Sequence, residues 1–438
     1  MPTVAVHTET FARLARSAAR VKGMPGTRQA FVPQPLIGLT PDELFGYITG
    51  GDPVNGRPFM QEVIEGLTRP LDQTDQKGVS FDRSAPRLLE PETDENLQQL
   101  FMDNGWTDFM PIVLPTEERV EAMLAGTSRR PDELVGRLRP TLYREFWEFN
   151  VEKVAVNAVM AGARPEYLPV ILAMAASGVT ARQSSTTSLA AITLVNGPIR
   201  NEIGMNSGIG AFGPYNHANV TIGRAHGLLS QNLQGGSIPG ETYMGSQGTA
   251  YTFSAAYAEN EERSPWEPFH VQHGFKPTDS TVSVFTGGWY TQWGTGIREE
   301  WEEKFRTSLR ACEPWLGPML ALDPLAAQEL VKRGFDTKEK LLDWLVDNAR
   351  MTAREFWDNQ WSQTALRPFA VLGEEPYASM LKADPDELIK MYRPEDIAIT
   401  VIGGETTPTW NMLCATLENG TTLVDAVNRG IASVDEWR

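Results

Sequence analysis

The stretch AAITLVNGP, residues 190–198, decides the fold class of this 438-residue chain. It is an apolar run with β-branched residues that ends in a glycine turn, which is typical of a buried strand that feeds a tight turn. TVSVFTGG at 281–288 and IAITVIGGE at 397–405 have the same pattern. Because segments with helical spacing separate these stretches, the chain is predicted to be an α/β protein with a central mixed sheet flanked by helices.

Helix boundaries are predicted from apolar spacing and from capping residues. Asp323 and Asp384 are each followed by proline, which is a typical start of a helix, and Asp336 and Glu339 form a plausible reciprocal capping pair. No internal repeat is visible in the sequence. The predicted helices of the main body are 150–162, 166–177, 216–233, 297–312, 324–333, 338–349 and 385–392.

The chain divides into an N-terminal extension and a main domain. Residues 1–100 are rich in proline and polar turns, and their helices include one that begins at Thr40 and Pro41. We interpret them as a helical arm that wraps the main body or a neighbouring subunit, and we expect a homo-oligomer. Residues 101–438 form the α/β main domain.

Charge and composition exclude several classes of partner. The 56 acidic and 39 basic residues leave a formal net charge of −17, which repels nucleic acid and anionic membranes. A local basic patch can still hold a small anion. Uncharged apolar runs do not reach the 18 or so residues of a spanning helix, and the two cysteines form no disulfide or zinc pattern. These features predict a cytoplasmic protein.

The segment FGPYNHANVTIGRAHG, residues 212–227, is unusually polar beside a clean apolar stripe. With Asn216 as the cap, a helix would present free backbone N–H groups and the positive end of its dipole to an anion. Arg224, two turns further on, would reach back to the same anion from a face shared with His217. This stretch therefore predicts a pocket for a carboxylate or a similar group.

A second candidate site lies in AYAENEERSPWEPFH, residues 256–270. Clustered carboxylates after a strand can supply a general base, and Glu259 or His270 would move the proton. Amides near strand ends, such as that of Asn196, would orient a substrate. The predicted substrate-binding residues are Asn196, Asn216, His217, Asn219, Arg224 and Asn260.

A metal site is the main alternative chemistry. His217 and His226 lie nine positions apart, which at about 100° per residue places them on opposite sides of one helix. They cannot share a metal there, so no metal ligand is assigned. His270 and His273 with a carboxylate keep metal-dependent chemistry open as an alternative. The sequence identifies no cofactor.

Five phrases together resemble the C-terminal portion of two-part bacterial proteins whose other portion belongs to the UGSC family. The phrases are GWTDFMPIVLPTEERVEAMLAGT (105–127), EKVAVNAVMAGARPEY (152–167), LVNGP (194–198), NHANVTIGRA (216–225) and ENEERSPWEPFH (259–270). The resemblance covers about 101–438. In that family the UGSC portion carries a G-D-[U/C]-G-S-C type motif and resembles the selenoprotein subunits of glycine- and proline-type reductases. No such motif occurs in this chain. Any thiol redox step would then come from a separate UGSC-type partner.

The sequence thus predicts an enzyme for a small anionic polar metabolite. Cleavage of a bond or addition–elimination is the expected reaction, with C–S and C–N as candidate bonds, so that the chain would be lyase-like or reductase-like. Two other interpretations stay open at this stage. One is the metal-dependent enzyme, and the other is a non-catalytic subunit of a UGSC-type complex.

Overall fold

The three glycine-terminated stretches form strands of one sheet in the computed structural model of the protein. The structure describes residues 3–21, 23–36, 39–70, 86–138, 147–181, 190–213, 215–234, 245, 255–314, 316–417 and 431–438. The strands are β1 Ala5–Thr8, β2 Gln29–Val32, β3 Leu134–Leu138, β4 Trp147–Asn150, β5 Ala190–Asn196, β6 Ala255–Ala258, β7 Thr281–Thr295, β8 Pro318–Leu322, β9 Arg350–Thr352, β10 Leu388–Lys390, β11 Ala398–Val401, β12 Thr409–Leu417 and β13 Ile431–Ser433.

Helices occupy most of the segments between the strands. They are α1 Ala12–Val21, α2 Pro41–Thr49, α3 Phe59–Thr68, α4 Asp94–Asp103, α5 Glu117–Leu124, α6 Val151–Met160, α7 Leu168–Ala176, α8 Ile199–Glu202, α9 His217–Gln234, α10 Phe269–Gln272, α11 Trp301–Ala311, α12 Pro324–Lys332, α13 Lys338–Asn348, α14 Ala353–Asp358, α15 Arg367–Val371 and α16 Tyr377–Lys382. Across the described ranges, no helix combines the length and the apolar composition that crossing a bilayer requires.

The main sheet has seven strands and is mixed, as predicted. Its order is β11-β8-β12-β7-β5-β6, and β13 pairs with β7 beyond the end of β12. The β5–β6 and β8–β11 pairs are parallel, whereas β7 and β12 run antiparallel to their neighbours. The expected α/β architecture, with helices around a mixed sheet, is therefore confirmed.

The sheet contains an internal duplication that the sequence does not reveal. In each half a strand, a helical connection, a parallel strand and an antiparallel strand follow in the same order, as β5-β6-β7 and as β8-β11-β12. Val195 pairs with Ala258 in the same register in which Leu322 pairs with Val401. The next backbone N–H after each parallel strand donates back to the partner strand, at 3.2 Å and 2.7 Å. The two halves thus share the same strand order and the same register at the end of their parallel pair.

Both faces of the sheet are apolar because both are buried. Side chains alternate between the faces along each strand, and one face of every strand in the long order contributes to a single inner cluster. Its members include Ile192, Leu194, Tyr257, Phe285, Met319, Ala321, Ala398, Ile402 and Leu413. The opposite face packs against α6, α7 and α9 in the first half and against α11, α12 and α13 in the second.

The sheet curls so that its two edges meet. β6 and β11 lie at opposite ends of the strand order, yet the backbone N–H of Asn260, just after β6, donates to the carbonyl of Val401 at 2.7 Å. The carboxyl ends of both edge strands therefore converge at one place. Polar residues that follow either strand are brought to that place.

Two local predictions of the sequence are wrong. The segment predicted as a helix at 385–392 instead contains β10, which pairs with β9, because this tertiary pairing outweighs the Asp384–Pro385 start signal. Helix α13 is capped by Thr337, whose side chain accepts from the N–H of Lys340, so the predicted pairing of Asp336 with Glu339 is absent. Asp336 forms an ion pair with Lys340 instead, at 2.6 Å.

The N-terminal extension is more than a helical arm. β1 and β2 pair in parallel around α1, and α2 and α3 follow. Small apolar clusters lie on either side of this pair, one with Ala15 and Phe31 and the other with Val32 and Phe59. The start of α2 at Thr40 is confirmed as a reciprocal capping box with Glu43.

Candidate functional site

The convergence of β6 and β11 creates a polar cluster inside the protein. Asn196 ends β5, and Glu259 and Asn260 directly follow its parallel neighbour β6. The side chain of Asn260 continues the junction, because its Nδ2 donates to the carbonyl of Gly403 at 2.9 Å. The structure thus brings together Asn196, Glu259 and Asn260, as the sequence predicts for residues at neighbouring strand ends.

Glu259 is completely buried and has donors on both carboxylate oxygens. Oε2 accepts from Asn196 Nδ2 at 2.6 Å and from the backbone N–H of Phe269 at 2.7 Å. Oε1 accepts from Lys338 Nζ at 3.3 Å and from the backbone N–H of Val401 at 3.4 Å. These four donors offset the cost of burying the charge. Since its acceptor positions are in use, Glu259 is suited to holding the cluster together.

Glu261 links the cluster to a buried arginine. Its Oε1 accepts from Asn196 Nδ2 at 2.9 Å and from the N–H of Gly197 at 2.8 Å, and its Oε2 lies 3.0 Å from Arg200 Nη2. Arg200, in the short helix α8, also donates through Nη1 to the backbone carbonyl of Glu259 at 2.6 Å. A charge-assisted network therefore joins the ends of β5 and β6.

Glu262 sits at the rim of this network. Burial alone would raise its pKa, but hydrogen bonds from Arg200 and Asn201 outweigh burial and lower the pKa to about 2. Its carboxylate therefore stays ionised at neutral pH. With Glu259 and Glu261, three carboxyl groups face the basic side chains of Arg200 and Lys338, so the formal charge of the cluster is −1.

His270 is the group in the cluster that is free to accept a proton. Its ring is fully buried, and Nε2 lies 3.1 Å from the carbonyl of Lys276. A carbonyl only accepts, so Nε2 carries the hydrogen and Nδ1 keeps its lone pair. Nδ1 has no hydrogen-bond partner among the described residues and lies 3.9 Å from Glu261 Oε1. Burial lowers the pKa of His270, although the charges of Glu261 and Glu259 act in the opposite direction.

Other buried polar atoms without a partner lie on the inner face of the same sheet. Asn196 Oδ1 is one, and Thr281, which is opposite Asn196 on β7, carries another. In the second half, Asp323 Oδ2 occupies the position that corresponds to Asn196, and burial raises the pKa of Asp323. Buried polar atoms without partners are uncommon in folded proteins, so each of these atoms in the described part of the chain calls for an explanation.

The amides at the start of α9 belong to a separate group. Asn216 Nδ2 donates to the carbonyls of Gly210 and Gly213 at 2.8 and 3.0 Å, and its Oδ1 accepts from Asn206. Asn219 bonds to both backbone groups of Asn206, at 2.9 and 3.0 Å. These side chains hold residues 206–213 against the start of α9. The backbone of this loop contacts the segment after β11, where the carbonyl of Ser207 accepts from Gly403 N at 2.8 Å.

Arg224 and His217 form contacts other than those predicted at the start of α9. Arg224 holds Asp108 through two bonds of 2.9 Å and also donates to the carbonyl of Pro111. Burial raises the pKa of Asp108, but the bonds from Arg224 outweigh burial and lower it. His217 Nδ1 lies 3.3 Å from the hydroxyl of Tyr167. The expectation that Arg224 reaches back to the helix start is wrong, because a carboxylate 116 residues away takes the guanidinium.

The histidines give no metal centre in the described part of the chain, where no group of three or more His, Cys, Asp and Glu side chains is placed to hold an ion. His270 Nε2 and His273 Nδ1 are each hydrogen-bonded to a backbone carbonyl. His226 belongs to α9, and its buried ring is hydrogen-bonded through Nε2 to the carbonyl of Val179. These contacts lend no support to the metal-dependent alternative.

Sequence reasoning missed four members of the cluster. Glu261 and Glu262 were not distinguished within their acidic run, and no motif marks Arg200 after the predicted glycine turn. Lys338 carried a signal that could have been used, because a lysine at the first position of a helix opposes the helix dipole. Such a lysine needs a compensating charge, which Glu259 supplies.

The fold and the cluster define a mixed α/β protein with a buried acid–base group at converging strand ends. Residues 1–47 match the model of the UGSC family. This match supports a relationship to that family over a segment containing β1, α1, β2 and most of α2. It lies outside the phrases that carry the resemblance of residues 101–438. Neither a curated protein nor a solved structure matches the chain.

Proposed function

We propose that the protein is an enzyme that breaks a bond in a small polar metabolite, with His270 as the general base. The observation that carries this proposal is the unpartnered Nδ1 of His270, buried beside Glu261 in a cluster of ionised groups. Buried titratable groups with specific charged neighbours are concentrated at functional sites. The lowered pKa of His270 keeps the imidazole neutral and able to accept a proton near neutral pH.

In the proposed step, Nδ1 removes a proton from the substrate. The electron pair left behind forms a new π bond as the leaving group departs from the adjacent atom with the electrons of the broken bond, which is the elimination half of addition–elimination. Glu261 at 3.9 Å stabilises the imidazolium, and Asn196 Oδ1 accepts a hydrogen bond from the substrate. Glu259 and Lys338 keep Glu261 and Asn196 in position. A C–S or a C–N bond is the candidate for the bond that breaks.

The charge of the cluster bears on the substrate. Three carboxylates against two cations favour a reacting end that donates hydrogen bonds, such as an amine or a hydroxyl, because the unpartnered Asn196 Oδ1 and His270 Nδ1 both accept. The predicted anionic group of the substrate would lie away from the carboxylates. Arg224 is not free to bind it, since Asp108 holds the guanidinium.

A UGSC-type partner is part of the proposal for any redox step. The chain has two cysteines, Cys312 and Cys414, and both are buried. Reactive cysteines are at least partly exposed, so neither is suited to exchange electrons with a substrate. We infer that a separate thiol or selenol protein supplies this chemistry, with the present chain as the portion that lacks the motif. Cytoplasmic location and homo-oligomerisation remain predictions.

The test compares His270→Gln with His217→Gln, a histidine outside the cluster. Each protein is incubated with a cell extract of small metabolites, with and without a purified UGSC-family protein, and the compounds that disappear are identified by mass spectrometry. We expect wild type and His217→Gln to consume the same compound, and His270→Gln to be slower by about 10²- to 10⁴-fold. Consumption by His270→Gln at the wild-type rate would exclude His270 as the base. Absence of consumption in every arm would favour the non-catalytic subunit.

A further inference from the structure

The N-terminal unit contains a second polar site, unrelated to the His270 cluster. A cavity of about 470 Å³ lies between α1, the 25–29 turn and α3. Five of its lining residues are arginines, in a chain whose net charge is −17. The arginines are Arg16, Arg20, Arg28, Arg57 and Arg69, and the acidic lining residues are Glu62 and Glu65.

Both carboxylates form ion pairs with the same arginine, Arg57. Arg57 Nη1 lies 2.7 Å from Glu62 and its Nη2 lies 2.6 Å from Glu65. Among the described lining residues, five arginines against two glutamates give a formal net charge of +3. Arg16 and Arg20 form no ion pair within the described residues, and they share a face of α1 because they are four residues apart. A concentration of positive charge in a concave site attracts anions.

The enclosed N–H groups of Arg28 indicate a bound ligand more directly than the charge of the lining does. One of its Nη1 hydrogens goes to the carbonyl of Gly66 in the last turn of α3. Its Nε and Nη2 atoms are enclosed and have no acceptor among the described residues. Leaving buried N–H groups of a charged side chain without acceptors is costly, and Nε and Nη2 form the edge of the guanidinium that binds two oxygens of one oxyanion.

We propose that this cavity binds a phosphorylated small molecule. The Arg28 fork would take two phosphate oxygens, and Arg16 and Arg20 would balance the remaining charge. The ring of Phe31, over which the Arg16 guanidinium lies at 5.4 Å, supplies an apolar wall. The volume falls within the roughly 300–1,000 Å³ of pockets for organic ligands, so an organic group accompanies the phosphate. The glutamates disfavour an anion beside Arg57, which places the phosphate at the Arg28 side.

Calorimetric titration of the full chain at 0.15 M salt tests the proposal. The probes are inorganic phosphate, pyrophosphate and glycerol phosphate, with citrate as a polycarboxylate of comparable charge. The variants are Arg28→Gln and the exposed pair Arg16→Gln/Arg20→Gln. Arg130→Gln/Arg354→Gln removes two exposed arginines that do not line the cavity and serves as the matched control.

We expect saturable binding of glycerol phosphate by wild type and by the control pair. The affinity should fall at least tenfold in Arg16→Gln/Arg20→Gln and in Arg28→Gln, and circular dichroism should show that each variant is folded. If Arg28→Gln does not fold, the exposed pair alone decides. Absence of saturable phosphate binding, an equal loss in the control pair, or stronger binding of citrate than of every phosphate probe would overturn the proposal.

Discussion

Glu259 and Lys338 form an ion pair in which both side chains are completely buried, with Oε1 and Nζ 3.3 Å apart. The partners come from the end of β6 and the first turn of α13, 79 residues apart in the chain. The pair fixes the start of α13 against the strand ends. It also holds the carboxylate that positions Asn196, so the stability of this region and the geometry of the proposed site depend on the same contact.

Lys338→Met should therefore be strongly destabilising. It leaves Glu259 buried with one fewer donor and without its countercharge, and removing one partner of a buried pair costs about 3–5 kcal/mol. Lys340→Met is the matched control, because the Lys340–Asp336 pair is exposed and should contribute less than about 1 kcal/mol. The measurement is the free energy of unfolding in urea. Equal losses in the two variants would show that the Glu259–Lys338 contact is not formed.

Gly197→Ala tests the turn after β5. Gly197 has a φ of +84°, and an added Cβ would lie 2.1 Å from the carbonyl oxygen of Asp279. The left-handed backbone and the clash together should cost roughly 2–5 kcal/mol. Gly204→Ala shares a positive φ of +67° but meets no atom within 4 Å, so it should cost only about 1–2 kcal/mol. Thermal melting of both variants would reveal the difference, and its absence would contradict the close approach.

A double-mutant cycle on Arg224 and Asp108 measures their contact. The structure predicts that Arg224→Gln and Asp108→Asn are each destabilising and that the double variant loses less than the sum. The expected coupling is roughly 1–3 kcal/mol, since two hydrogen bonds join the charged groups. If Arg224 instead bound a substrate anion, the two substitutions would be additive. In that case Arg224→Gln alone would impair substrate capture.

Acid should destabilise the protein through His226. Burial lowers the pKa of His226 to about 4, although its bond to the carbonyl of Val179 acts in the opposite direction. The unfolded chain therefore binds a proton at this residue near pH 6.5, and the folded chain does not do so until about pH 4. Its contribution to stability is fully present above about pH 6.5 and is lost as the pH falls towards 4, by roughly 3 kcal/mol.

The check is the difference in unfolding free energy between pH 7 and pH 4.5, measured for wild type and for His226→Gln. His226→Gln should show a smaller difference than wild type, and the exposed His217→Gln serves as the control. An unchanged difference in His226→Gln would show that the residue does not titrate in the proposed range.

Short-range patterns predicted much of the secondary structure. The stretch 216–233 was expected to be a helix, and α9 spans His217–Gln234; Asp323 caps α12 as its sequence suggests. The failure at 385–392 has a physical reason, because β10 is stabilised by pairing with β9, a contact that the local capping signal does not contain. The same limit applies to the residues of the candidate site. Strand-end residues were identified, whereas their charged partners were not.

The sequence by itself determined many of the helices and several strands of the main sheet, because apolar periodicity and capping act between residues a few positions apart. It also indicated that Asn196, Glu259 and Asn260 lie at strand ends, and it singled out His270 because an apolar residue adjoins it. Only the tertiary structure decided that the sheet curls, that its halves repeat, and that Lys338 and Arg200 meet the carboxylates while Arg224 goes to Asp108. Coulomb attraction and the cost of burying charge depend on distance in space, and the curl of the sheet sets those distances.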